Sequence, residues 1–69
     1  MMTPFGTNLK NARTAKGWTQ QQLANKTGIA RHNIGAYEEG RAHPNIKTYA
    51  LLCKVFGANL FAADIDRKI

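Results

Sequence analysis

Between Thr19 and Gly40 the chain carries two helix starts and two helix stops, and few local conformations satisfy them all. Thr19 is an N-cap, since its hydroxyl can accept from the unpaired N–H groups of a first helical turn. Gln22, three residues on, completes a capping box by reaching back to the Thr19 N–H. Trp18 and Leu23 flank this start at the spacing of a hydrophobic staple, and Ile29 and Ile34 repeat it one helix later. Gly28 suits the left-handed residue that ends a helix, and Gly40 ends the next. A helix, a glycine turn and a second helix make a helix-turn-helix pattern.

The flanking segments are helical too. Thr3-Pro4 reads as a cap followed by proline at the first helical position, and Phe5, Leu9 and Ala12 follow at helical spacing until Gly17. The predicted helices cover about 4–16, 20–27 and 31–39. Asn45 caps a fourth, whose apolar stripe is expected to be Ile46, Tyr49, Ala50, Cys53 and Phe56, and Gly57 ends it. Asn59 caps a fifth, short helix containing Leu60 and Ala63. The tail 66–69 shows no periodicity and is expected to be loose. A single domain over 1–69, with its core in about 3–65, accommodates these elements.

The formal charge of +6 makes a polyanion the natural partner. A lone cysteine, Cys53, cannot close an internal disulfide and suits a reducing compartment. No long apolar run is present, so neither a membrane span nor a signal peptide is expected, and the predicted location is cytoplasmic. No two of His32, His43 and Cys53 share a helix at ligand spacing, the acids do not pair, and no glycine-rich phosphate loop follows a strand. No enzyme, metal or cofactor is expected.

The stretch from Phe5 to Leu60 resembles the phage repressor and Cro family, also called the XRE type. The residues that carry the resemblance are Phe5-Gly6, Leu9, Arg13, Gly17, Thr19-Gln20, Leu23-Ala24, Gly28, Ile34, Tyr37-Glu38, Gly40, Pro44 and Gly57. It implies an all-α, compact five-helix repressor-like DNA-binding domain, with helices two and three as the helix-turn-helix. It also implies a sequence-specific regulator of transcription, acting as a repressor on double-stranded DNA. The rival reading is an antitoxin or coactivator-like protein-interaction module of the same fold.

Spacing the third helix at about 100° per residue makes Ile34 and Tyr37 its core direction. His32, Gly35, Ala36 and Glu39 are then expected to face outward, with Arg31 and Asn33 on the flanks. Glu38 lies near the core side, where a lone carboxylate is costly to desolvate. The resemblance supplies Arg13 as its ion-pair partner; the alternative is that both are exposed. In a DNA complex the start of this helix would reach base edges in the major groove, which makes Arg31, His32, Asn33 and Ala36 the base-contacting set. Phosphate contacts fall to Gln20, at the start of the second helix, and to Arg41, His43, Asn45 and Lys47 beyond the third.

Two features weaken the third helix. Ala30 stands at its N-cap, a loss of about 1 kcal/mol relative to Ser or Thr. Gly35 in its interior removes roughly another 0.8–1 kcal/mol, either to allow close approach to DNA or as a tolerated defect. Finally, Leu51, Val55 and Phe61 form either a homodimer surface or the completion of a small core.

Overall fold

The computed structural model describes residues 4–57, and all its regular elements there are α-helices. α1 spans Pro4–Ala15, α2 Gln20–Thr27, α3 Arg31–Glu39 and α4 Ile46–Phe56. The five-helix expectation is thus met by four helices among the described residues. Thr3, Asn59, Leu60, Phe61 and Ala63 lie outside them.

The starts of α2 and α4 and the stops of α2, α3 and α4 are made by the groups that the sequence set out for them. The Thr19 hydroxyl accepts from the Gln22 N–H at 3.0 Å, and Gln22 Oε1 accepts from the Thr19 N–H at 2.8 Å. Gly28 adopts φ 78° and donates its N–H to the Ala24 carbonyl at 2.8 Å. That left-handed conformation would strain a side chain, so the turn into α3 depends on glycine. Ala30 contributes no side-chain bond to α3, whereas Asn45 Oδ1 accepts from the Thr48 N–H at 2.8 Å to start α4.

Phe5, Leu9, Leu23, Ala24, Ile34 and Leu52 form the buried core. Phe5 meets Tyr37 edge-on at 6.5 Å and Tyr49 at 5.5 Å between ring centroids, joining α1, α3 and α4. Trp18 and Ile29 pack against this core from either end of α2.

α4 is rotated from its predicted setting. Leu52 is fully buried, with Tyr49, Cys53, Val55 and Phe56 packed against the core, while Ile46 is 86% exposed and Ala50 is exposed. The inward face is therefore Tyr49, Leu52, Cys53 and Phe56. Apolar residues nearly all round α4 made its period ambiguous, and packing chose the stripe centred on Leu52.

α1 and α3 approach so closely that a side chain on Gly6 would collide. A Cβ there would stand 2.5 Å from the Tyr37 carbonyl oxygen and 2.8 Å from that of Glu38. A little further along α1, Arg13 and Glu38 are buried as a pair, 9% and 2% exposed. Arg13 Nε donates to Glu38 Oε2 at 2.7 Å and Nη2 to Oε1 at 3.1 Å. Arg13 Nη1 donates to the Trp18 carbonyl at 2.7 Å, so the guanidinium also closes the loop after α1. The Glu38 hydrogen bond holds Arg13 above its ordinary pKa, against the opposing effect of burial.

Replacing either partner by alanine is expected to lower the unfolding free energy by about 3–5 kcal/mol, since the survivor is a buried, unanswered charge. Replacing both should cost less than the sum, and strictly additive losses in urea unfolding would show that the two act separately. The two helical glycines should behave oppositely. Gly6→Ala forces α1 off α3 and loses about 1–3 kcal/mol. Gly35→Ala places its methyl 3.6–3.9 Å from the Gln20 amide, an ordinary contact. Removing an interior helical glycine there should gain roughly 0.5–1 kcal/mol. Thermal melts moving in the same direction for both variants would contradict this account.

Candidate nucleic-acid interface

The surface that the helix-turn-helix presents is built outward from the Arg13–Glu38 pair. Glu38 Oε1 accepts a third hydrogen bond, from Gln20 Nε2 at 3.1 Å. On the far side of the same amide, Gln20 Oε1 accepts from Arg31 Nη1 at 3.4 Å. The carboxylate can only accept and the guanidinium can only donate, so the amide has one workable orientation between them. A continuous polar chain thus runs from the Trp18 carbonyl through Arg13, Glu38 and Gln20 to Arg31. It crosses from α1 through α3 and α2 and returns to the exposed start of α3.

Gly35 lies beneath the Gln20 amide and is buried. This corrects the outward setting expected for it, and since a Cβ there would stand 3.6–3.9 Å from the amide, close packing does not itself demand the glycine. Ala36 is also buried, at 8% exposure, so the methyl expected to face a base edge is withdrawn from the surface. The turn after Gly40 closes on this residue: the N–H groups of Arg41 and Ala42 both reach the Ala36 carbonyl, at 2.9 and 3.4 Å. With α1 packed on one side and α2 on the other, α3 keeps its first turn and its last residue exposed: Arg31, His32, Asn33 and Glu39.

The residues expected to meet phosphate divide into two groups. Arg41, His43, Asn45 and Lys47 are exposed, on and beyond the turn that follows α3. Asn45 commits its Oδ1 to the α4 cap, which leaves its amide NH2 group for an outside acceptor. Gln20, half-buried, commits its amide to Glu38 and Arg31 and stands at the start of α2, where first-turn N–H groups and the helix dipole favour an anion.

Two arrangements were not anticipated. Arg41 Nε donates to Glu39 Oε1 at 2.6 Å, across the Gly40 turn. Opposite charges on either side of a helix-ending glycine are a signal that sequence reading could have used. Lys26 Nζ stands 4.7 Å from the Trp18 ring centroid, over a face that the apolar staple alone did not explain. Among the described residues no three His, Cys, Asp or Glu side chains converge as metal ligands, and no helix is long and apolar enough to cross a membrane.

The model of the family HTH_3, helix-turn-helix, matches residues 9–61. The SPbeta prophage-derived HTH-type transcriptional regulator YonR of Bacillus subtilis is 44% identical over 55 residues, covering 80% of this chain and 51% of that protein. The HTH-type transcriptional regulator YqaE of the same organism is 39% identical over 56 residues, 81% of this chain and 48% of its own length. The cryptic phage CTXphi transcriptional repressor RstR of Vibrio cholerae is 28% identical over 53 residues, 77% of this chain and 48% of that repressor. The chain therefore spans about half the length of these relatives. No solved structure matches it. Matched by the family model over most of its length, the chain belongs to the HTH_3 helix-turn-helix family, of the phage repressor and Cro (XRE) type.

Proposed function

We propose that the chain is a sequence-specific double-stranded-DNA-binding transcriptional regulator that acts as a repressor, with α3 laid in the major groove. The observation that carries the reading is the exposure of Arg31, His32 and Asn33 together on the first turn of α3. That turn is where helices of this motif reach base edges. Arg31 can donate two bonds to guanine O6 and N7, and its guanidinium is steadied by Gln20. The charge of +6 supplies a sequence-independent attraction to the backbone. Relatives named as transcriptional regulators, one a phage repressor, support the same reading. It is a binding role, not a catalytic one, and places the protein in the cytoplasm beside the DNA. Selection of bound sequences from a random duplex pool tests it: recovery of one preferred site supports it, and sequence-indifferent recovery or no retention of DNA defeats it.

On the selected site, Arg31→Ala should cost about 1–3 kcal/mol and flatten preference at one or two base pairs. Gln20→Ala removes no charge, so it should weaken binding to all sequences and leave the salt slope almost unchanged. Because Gln20 Oε1 holds Arg31, the same change should also soften preference at the Arg31 base pair and nowhere else. Affinities across a panel of single-base variants at several salt concentrations decide this. Gln20→Ala altering preference at other positions would show the assignment of roles to be wrong.

The reading includes a homodimer on two half-sites about 34 Å apart, one turn of DNA. Leu51, 37% exposed, and the neighbouring exposed Ile46 and Ala50 offer apolar surface on the outer side of α4. Val55 is half-buried against the core and contributes less, while Phe61 lies outside the described residues. Titration onto a two-fold symmetric form of the selected site should be cooperative, and Leu51→Lys should abolish the cooperativity without weakening the single half-site. Strict one-to-one binding to one half-site by the unaltered protein would rule the dimer out.

A further inference from the structure

Among the described residues the carboxylates are Glu38 and Glu39, and Glu38 is consumed in the buried pair. Glu39 is therefore their one exposed carboxylate, on a strongly basic domain. Its position is unfavourable on two counts. It is the last residue of α3, at the negative end of the helix dipole. It also lies two helical turns beyond His32 on the same side of α3, the side that would meet a polyanion. No packing requires it there, since its side chain is 61% exposed.

Its partner is well defined. Glu39 Oε1 accepts from Arg41 Nε at 2.6 Å, and the Arg41 backbone is itself tied down by its N–H bond to the Ala36 carbonyl at 2.9 Å. Gly40, left-handed at φ 78°, turns the chain so that two residues this close in sequence can face each other. A guanidinium recognises a carboxylate and a phosphate through the same planar donors.

We infer that Glu39 is a built-in competitor for DNA phosphate: it occupies Arg41 in the unbound protein and so limits the affinity for DNA of unrelated sequence. The inference rests on the DNA-binding reading. While Arg41 stays on Glu39, it neutralises no phosphate and releases no counterion, and the exposed carboxylate repels the backbone. Binding proteins gain selectivity by such repulsive elements as well as by attractive ones. Glu39 touches no base in this role; it positions Arg41.

The test is a double-mutant cycle of Glu39→Gln and Arg41→Gln, read by fluorescence anisotropy on a mixed-sequence duplex unrelated to the selected site, at several NaCl concentrations. Removing the carboxylate both loses a surface ion pair and relieves the helix dipole, so the fold should be little affected, and circular dichroism melts verify that. Glu39→Gln is expected to tighten binding about 3–10-fold and to steepen the salt slope by about one unit. Arg41→Gln alone should change the slope by much less than a unit, and the double variant should return to the unaltered protein's affinity and slope. Additive effects would overturn the inference, because Glu39 would then act only through net charge. A full unit lost from the slope with Arg41→Gln alone would overturn it too, since Arg41 would already be on phosphate. If the unaltered protein shows no salt-dependent duplex binding, the DNA-binding reading itself fails, and this inference with it.

Discussion

Burying a carboxylate as deeply as Glu38, at 2% exposure, is sustainable only when its charge and lone pairs are answered. Here three donors answer them, two from Arg13 on α1 and one from Gln20 on α2. One acid on α3 therefore specifies where the other two helices of the recognition unit must lie. Gly6 supplies the matching steric condition, because only a bare backbone lets α1 come close enough for Arg13 to reach. The two conditions are of different kinds, one electrostatic and one steric, and they hold the same pair of helices in register.

That dependence matters because α3 is poorly equipped to be helical alone. It spans Arg31–Glu39, lacks a side-chain cap and carries Gly35 in its interior. Isolated helices of this length are marginal in water. Its shape is imposed from outside, by the core grip on Ile34, the ion pair at Glu38 and the Gln20 side chain laid over Gly35. Polar bracing of this kind suits a surface whose side chains must be presented in one geometry. The amide that fills the space over Gly35 is the one that steadies Arg31, so packing and presentation are served by the same residue.

The charge distribution follows the same economy. A net charge of +6 draws the domain to any polyanion, which is useful for encounter and unhelpful for selectivity. The acids that temper it are few among the described residues, and each is placed against an arginine: Glu38 inside, Glu39 outside. The inner pair serves the fold, where water is excluded and the bonds are strong. The outer pair is screened and exchangeable, as a contact that competes with a phosphate has to be.

Much of this was legible residue by residue. Helix boundaries from Gln20 to Glu39 follow from the Thr19–Gln22 box and the glycines at 28 and 40, because caps and left-handed stops are decided within a few residues of backbone. The exposure of His32 followed from its angular distance from the Ile34–Tyr37 direction on a single helix, while Arg31 and Asn33, on the flanks of that wheel, are exposed at the open first turn. The resemblance supplied Arg13 as the partner of Glu38, across an interval that no local pattern could bridge. What the sequence left undecided is what depends on a second element. Gly35 and Ala36 looked outward on a wheel drawn for one helix, but both are buried, Gly35 beneath the Gln20 side chain of α2. In α4 a surplus of apolar residues fitted more than one stripe, and only contact with the other helices selected Leu52 over Ile46. Local hydrogen bonding determined where the helices start and stop; where the pattern allowed more than one face, tertiary packing determined which way they turn, because burial is a property of the neighbours a residue meets and not of the residue itself.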